Sequence, residues 1–160
     1  MPIKANYALV FVLAISTSLA TAQEKQGKKA SGHASTPQVV ASDGAPKAAG
    51  PYSQAIKAGE FVFAAGQTGR DPTTNKLVEG DITVQTDRAL KNLAAVLTAA
   101  GSSMDRVVRT TVYLKNISDF AKMNEVYGMY FKLNPPARTT IGVAALPGEA
   151  LVEIDVIALQ

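Results

Sequence analysis

Residues 151–159, LVEIDVIAL, decide the fold because apolar residues recur at every second position of this stretch. Side chains that are neighbours along a β-strand point to opposite faces of the sheet. One face of this predicted strand is apolar and consists of Val152, Ile154, Val156 and Ala158. The opposite face mixes apolar residues with carboxylates and consists of Leu151, Glu153, Asp155, Ile157 and Leu159. The stretch therefore predicts a strand that packs one face against helices and needs a partner, most economically a second copy of the chain, over the other.

The other predicted elements precede this strand. β-Branched and aromatic residues predict strands at 52–57, 61–67, 107–114 and 137–146. A helical period predicts a first helix over 83–100, with a buried face of Leu90, Leu93, Leu97 and Ala100. A second helix is predicted from a cap at Ser118, with a buried stripe of Phe120, Met123, Tyr127, Tyr130 and Phe131. The strand over 107–114 is expected to place on one face Val108, Thr110, Val112 and Leu114. Hairpins that flank helical crossovers favour an α+β fold, a mixed sheet with two helices on one face.

Composition excludes several classes of chemistry. The 160 residues contain no cysteine and one histidine, His33. Disulfides, thiolate zinc sites, a cysteine nucleophile, a multi-histidine metal centre and a Ser/His/Asp triad are therefore not expected. The formal charge is +3, but four of the lysines fall within the first thirty residues, so the remainder is close to neutral. Nucleic acid is consequently not the expected partner.

The N-terminus has the order of a secretory signal peptide. Lys4 precedes an apolar run over 8–15, and the small-residue triplet Ala20-Thr21-Ala22 follows. We expect cleavage after Ala22 and export to the periplasm or the medium, with an uncleaved membrane anchor as the alternative. Residues 23–36 are rich in Lys, Gly, Ser and Ala, which predicts a flexible basic linker. The folded domain is expected over 37–160, without a membrane segment once the signal is removed.

Five residues are candidates for a functional site. Arg138 follows Pro135-Pro136-Ala137, and its guanidinium could bind a carboxylate through two parallel hydrogen bonds, although a surface arginine in an ion pair is the alternative. Glu153, which shares a strand face with Asp155, could act as a general base or remain solvated. Gly66 closes a strand and would let a ligand approach the backbone N–H, or would form an ordinary bulge. The remaining two candidates are Tyr52, after Gly50-Pro51, and Asn124 on the second helix.

Several motifs at these positions resemble the Rid/YjgF family of reactive-intermediate (imine) deaminases. The matching motifs occur in order along the predicted domain: GPYSQA (50–55), AGQ (65–67), LVEGDI (77–82), VVRTTVYL (107–114), NEVY (124–127), PAR (136–138) and VEIDVIA (152–158). The resemblance implies chorismate-mutase-like α+β subunits that assemble as a barrel-cored homotrimer with clefts between subunits. It also implies hydrolysis of 2-imino acids and their enamine precursors to 2-oxo acids and ammonia, with no cofactor and no metal.

The same resemblance implies a role for each candidate. Arg138 would bind the substrate carboxylate, and Glu153 would orient and activate the attacking water. Gly66 would donate its backbone N–H to the carboxylate, Tyr52 would line the cleft from the neighbouring subunit as a catalytic and binding residue, and Asn124 would lie near the cleft. Burial would raise the pKa of Glu153 and a nearby Arg138 would lower it, so the sequence leaves open whether Glu153 is a base or a hydrogen-bond acceptor.

Two alternatives to deamination follow from departures from the family pattern. The family often has serine where this chain has Ala65, so a hydroxyl that lines the cleft is lost. Export would also separate the protein from the cytoplasmic enzymes that produce imines. A non-catalytic trimer that binds small carboxylates in the same clefts is therefore the second hypothesis. A ribonuclease or translation-inhibitor activity, attributed to some relatives, is the third.

Overall fold

A computed structural model of the protein describes residues 36–160. The predicted signal peptide (1–22) and all but the last residue of the predicted linker (23–36) lie outside the described residues. Within the described part of the chain, no helix is both long enough and apolar enough to cross a membrane.

Residues 36–160 form one mixed sheet and two helices. The six strands are β1 (Gln38–Val40), β2 (Ala55–Ala58), β3 (Phe61–Thr68), β4 (Val107–Leu114), β5 (Ala137–Gly142) and β6 (Val152–Leu159). The two helices are α1 (Ile82–Ala99) and α2 (Phe120–Tyr130). The strands lie side by side in the order β1-β2-β3-β6-β4-β5, and only the pair β4-β5 is parallel. The predicted α+β fold, with a mixed sheet and two helices, is confirmed.

The hydrophobic core lies between the sheet and the helices. Leu90, Leu93 and Leu97 of α1 are fully buried, and Ala100 is nearly so, as predicted. The apolar face of β6 is also buried as predicted, at Val152, Ile154, Val156 and Ala158. Asp81 caps α1 by accepting a hydrogen bond from the backbone N–H of Thr83 at 3.0 Å.

The second face of the sheet is open in the single chain. β3 pairs with β6 so that Phe63 is opposite Ile157 and Phe61 is opposite Leu159. Phe61, Phe63 and Leu159 are exposed, whereas their neighbours Val62 and Ala158 are buried against the helices. The mixed face predicted from the sequence is therefore a contiguous apolar surface with carboxylates at its polar end.

One strand was not predicted, and two predicted strands have different bounds. β1 was not predicted, and β2 begins at Ala55 rather than at residue 52, because Tyr52 N–H bonds to the carbonyl of Gly50 at 2.8 Å in a tight turn. β5 ends at Gly142 rather than at 146, since the pairing of β5 with β4 ends where β4 itself ends, at Leu114.

Ser118 is not the cap of α2. It lies inside a short 3₁₀ turn over Ile117–Asp119, and α2 begins only at Phe120. Met123, Tyr127 and Phe131 are buried as predicted, but Phe120, at the first turn, is exposed. Tyr130 is half-buried because its hydroxyl leaves the core to donate to Asp87 Oδ1 at 2.6 Å.

Val108 is not on the buried face of β4. Val107 is opposite Ala158 and Arg109 is opposite Ile157, so β4 advances two residues while β6 advances one. This β-bulge buries Val107 and turns Val108 to the exterior, while Thr110, Val112 and Leu114 are buried as predicted.

Candidate active site

A cleft of about 560 Å³, here called the Glu153 cleft, lies over the polar end of the open sheet face. The loop before β2, the end of β3 and the start of β6 form its walls. Three of the five candidates line it: Tyr52, Gly66 and Glu153. Ala65 lines it as well, with a methyl group as its side chain.

A β-bulge in β3 brings Gly66 into contact with Glu153. Ala64 is opposite Val156 and Gln67 is opposite Ile154, so β3 carries one extra residue at Ala65-Gly66. A Cβ on Gly66 would lie 2.8 Å from Cδ and 2.9 Å from Cγ of Glu153, closer than real Cβ contacts come. The carboxylate of Glu153 therefore rests on the bare backbone of Gly66, and a side chain at position 66 would displace it.

Glu153 is half-buried, and its surroundings disfavour its charged form. Burial raises the pKa of Glu153, and the negative charge of Asp155 raises it further. In the single chain burial thus outweighs any lowering by a cation. A carboxylate with a raised pKa is a better proton acceptor from water than an ordinary surface glutamate.

Tyr52 is held at the mouth of the cleft by a loop that the sequence analysis did not single out. Its hydroxyl accepts a hydrogen bond from Ala49 N–H at 3.2 Å. Buried Gln54 braces the preceding loop: its Nε2 donates to the carbonyl of Pro46 at 2.8 Å, and its Oε1 accepts from Ser42 N–H at 2.6 Å. Gln54 belongs to the GPYSQA motif, and this bracing is the physical reason for an amide at that position.

The other two candidates, Arg138 and Asn124, lie in a separate depression of about 410 Å³, here called the Arg138 pocket. The guanidinium of Arg138 lies over two aromatic rings, 4.5 Å from the centroid of Tyr127 and 5.6 Å from that of Phe120. Tyr127 is itself fixed, because its hydroxyl is 2.8 Å from Thr110 Oγ1. Burial raises the pKa of this tyrosine, against the lowering effects of Thr110 and Arg138.

Arg138 has no carboxylate partner within the described residues. The ion pairs among residues 36–160 are Lys91 with Asp87 and Lys115 with Glu149. The stacked guanidinium therefore has no counterion among these residues and is suited to bind an anionic ligand, so it is not the ion-paired surface arginine of the alternative.

Arg138 and Glu153 lie on opposite faces of the same sheet. Arg138 is opposite Thr110 of β4, whose side chain is buried toward α2, whereas Glu153 is opposite Tyr113, whose hydroxyl donates to Asp155 at 3.1 Å on the other face. Two strand spacings of about 4.8 Å and three residues of about 3.4 Å separate their Cα atoms by roughly 14 Å. Within one chain the predicted site is thus two half-sites, one with Tyr52, Gly66 and Glu153 and the other with Asn124 and Arg138.

Two cations of the Glu153 cleft were not predicted: Arg70 and Lys47 line it. No strand, helix or motif predicted from the sequence includes Arg70. The signal that could have found it is its position two residues after the end of β3, the strand that carries Gly66. No group of three or more His, Asp or Glu side chains in the described part could hold a metal ion.

Comparison with known proteins identifies the family. The family model described as Endoribonuclease L-PSP matches residues 42–160. A RutC family protein of Pyrococcus horikoshii is 53% identical over 123 residues, which cover 77% of this chain and 98% of that protein. The human 2-iminobutanoate/2-iminopropanoate deaminase is 44% identical over 123 residues, which cover 77% of this chain and 90% of the human protein.

A solved structure indicates the same family. It is a protein of the conserved Rid family from Yersinia pestis, 46% identical to this chain, with a TM-score of 0.76 and coverage of 78% of this chain and 100% of that one. With the family model matching most of the chain, the protein belongs to the Rid family, also called YjgF or Endoribonuclease L-PSP.

Proposed function

We propose that the protein is an imine deaminase whose active site joins the Glu153 cleft of one subunit to the Arg138 pocket of the next subunit in a homotrimer. The observation that carries this proposal is the placement of Arg138 and Glu153 on opposite faces of one sheet, because the two groups can meet only between copies of the chain. The trimer and the reaction follow from membership of the Rid family, to which the human deaminase also belongs.

The open face of the sheet supports self-association. Phe61, Phe63 and Leu159 form an exposed apolar surface that water solvates poorly. β5 is an edge strand, and Arg138 lies on it next to the Arg138 pocket. A ring of three subunits can cover each open face with the edge of a neighbour, and this also brings a guanidinium to a carboxylate.

The chemistry needs only an anion-binding group and an activated water. The carbon of the C=N bond beside the carboxylate is electrophilic, and Arg138 would hold that carboxylate through two hydrogen bonds. Glu153 would take a proton from water as the water oxygen bonds to this carbon. That proton passes to the nitrogen and gives a carbinolamine. The proton of the new hydroxyl group is then transferred to the nitrogen as the C=O bond forms and the C–N bond breaks, so ammonia and the 2-oxo acid leave. No electron transfer or cofactor enters this balance.

Imine hydrolysis by the domain over residues 37–160 tests the proposal. An amino-acid oxidase generates 2-iminopropanoate from alanine, and semicarbazide traps whatever imine remains. We expect less trapped product when the protein is present. Carboxylate binding without acceleration would favour the non-catalytic trimer. Cleavage of RNA that falls steeply with salt would favour the ribonuclease, against which stand the equal numbers of acidic and basic residues in 36–160.

The pH dependence of the hydrolysis rate should reflect the ionisation of Glu153. Glu153 must be ionised to accept a proton, so activity should appear as the pH rises through its pKa. Burial and Asp155 raise this pKa in the single chain, and Arg138 of the neighbouring subunit would lower it. Glu153→Gln should lower kcat by about 10²- to 10⁴-fold, the usual contribution of a general base, and should remove this acidic limb from the residual rate. Rates measured from pH 4 to 8 and corrected for spontaneous hydrolysis check both expectations. An unchanged acidic limb in the variant would show that another group titrates.

We also propose that the protein is exported and that its first 22 residues are removed. The apolar run after Lys4 and the Ala-Thr-Ala triplet support this. The intact mass of the exported protein should correspond to a chain that begins at Gln23. A mass that retains residues 1–22 would support the membrane anchor instead.

A further inference from the structure

We propose that Arg70 forms a second anion-binding position in the Glu153 cleft and makes the enzyme prefer 2-imino acids that carry a second carboxylate on the side chain. This inference rests on the proposed function, because it assigns the substrate class of the same site. Its evidence is the geometry around Arg70, which belongs to none of the elements that carry the predicted site residues.

The backbone of Arg70 is anchored to the core. Asn92 of α1 is fully buried, and its Nδ2 donates to the carbonyl of Arg70 at 2.8 Å and to that of Thr68 at 3.1 Å. Arg70 also forms an isolated bridge with Leu77, which closes the loop between them. The position of Arg70 is thus set by α1 and by its own loop.

The side chain of Arg70 is held in the wall of the cleft. Its Nη1 donates to the carbonyl of Asn75 at 2.7 Å, and its Nη2 lies against Gly148, where an added Cβ would collide with it. Gly148 has a φ of +62°, and its neighbour Pro147 lines the same cleft, as does Asn75. The turn after β5 therefore leaves room for the guanidinium and places it beside the ligand space.

The charge of Arg70 is not neutralised by a carboxylate of the described residues. The adjacent Asp71 is turned back into its loop, where its Oδ1 accepts from Thr73 N–H at 3.0 Å and from Thr74 N–H at 2.9 Å. Neither ion pair among residues 36–160 uses Arg70. A half-buried guanidinium that is fixed in place and lacks a counterion is suited to bind an anion.

Arg70 and Glu153 line different parts of the same cleft. Glu153 is opposite Thr68 of β3, and Arg70 lies two residues beyond Thr68, past the end of the strand. A molecule lying between them would place its reacting carbon at Glu153 and its far end at Arg70. The reacting carboxylate would pair with Arg138 of the neighbouring subunit. A second carboxylate at the far end would then match the guanidinium of Arg70, which is fixed in the wall of the cleft, whereas Lys47 is exposed.

The test compares kcat/KM for imines that have or lack a carboxylate on the side chain. Oxidases generate the imines of aspartate and glutamate as dicarboxylates and the imine of alanine as a monocarboxylate. We expect a higher kcat/KM for one of the dicarboxylates. Arg70→Leu should lower that kcat/KM by about 10- to 100-fold, as for loss of a buried charge-assisted pair, and should change the value for the alanine imine by less than about threefold.

Two further variants distinguish loss of the Arg70 guanidinium from a disturbed loop and from a general loss of positive charge. Arg70→Lys retains the charge and should recover part of the preference if Arg70→Leu disturbs the loop. Lys76→Gln removes an exposed cation from the same loop and should leave both substrates unaffected. Equal losses for both substrates in Arg70→Leu, or no loss for either, would overturn the proposal.

Binding measurements separate this proposal from the proposed function. Titration calorimetry with 2-oxoglutarate and with pyruvate measures the affinity of the cleft for each acid without turnover. Tighter binding of 2-oxoglutarate that disappears in Arg70→Leu would support the role of Arg70 even if no imine is hydrolysed. Equal affinity for the two acids in the unaltered protein would contradict it even if the alanine imine is hydrolysed.

Discussion

Arg138→Ala is expected to lower kcat/KM for 2-imino acids by roughly 10²- to 10⁴-fold, because removing one partner of a desolvated charge pair costs about 3–5 kcal/mol. The guanidinium is already oriented by the rings of Tyr127 and Phe120 and has no carboxylate partner in the described residues. Without it the substrate loses both affinity and the position of its C=N carbon. The oxidase and semicarbazide assay measures this loss directly.

The fold should survive this substitution. Arg138 is half-buried at the edge strand and contributes ring contacts worth about 0.5–1 kcal/mol each, so thermal unfolding should shift by only a few degrees. Arg138→Lys keeps the charge but not the planar pair of donors, so it should lie between the alanine variant and the unaltered protein. Full activity in Arg138→Ala, or dissociation of the oligomer in light scattering, would contradict the assignment.

Gly66→Ala should be nearly as damaging, for a steric reason. The new methyl group would overlap the carboxyl group of Glu153, so that side chain must leave its position. The backbone at Gly66 does not need a positive φ, so the conformation itself suits alanine. We expect at least a 10²-fold loss of kcat, comparable to loss of the general base, and a destabilisation of about 1–3 kcal/mol from overpacking.

A double-mutant cycle isolates this overlap. In the Glu153→Ala background the methyl group has space, so Gly66→Ala should cost little or nothing there, and urea unfolding of the four proteins gives the coupling. An equal cost in both backgrounds would mean that the bulge itself, and not contact with Glu153, requires glycine.

Much of the fold could be predicted because one period dominates each element. Residues 152–158 alternate, and Leu90, Leu93 and Leu97 recur at helical spacing, so burial follows from the pattern alone. Val108 and Ser118 were predicted wrongly because a bulge and a 3₁₀ turn each shift the period by a residue. Such local shifts are set by pairing with a distant strand or by the start of the next helix. The intrinsic propensities of the residues indicate neither of these.

The site could be predicted only as a set of residues. Their types pointed to carboxylate binding and water activation, but periodicity gave no register between β4, β5 and β6. That register decides that Arg138 faces α2 while Glu153 faces the open side. Arg70 was missed for a related reason, since its place in the cleft depends on Asn75 and Gly148, which lie five and 78 residues further along the chain.

The shared site is tested most directly by mixed oligomers of two inactive variants. Arg138→Ala and Glu153→Gln subunits carry different affinity tags, are produced in the same cells, and are purified through both tags. In a ring of three that contains both variants, one junction of the three combines an intact Glu153 with an intact Arg138, so about one third of the unaltered activity should return. Activity no higher than that of the separate variants, in trimers verified by mass, would contradict a site formed between subunits.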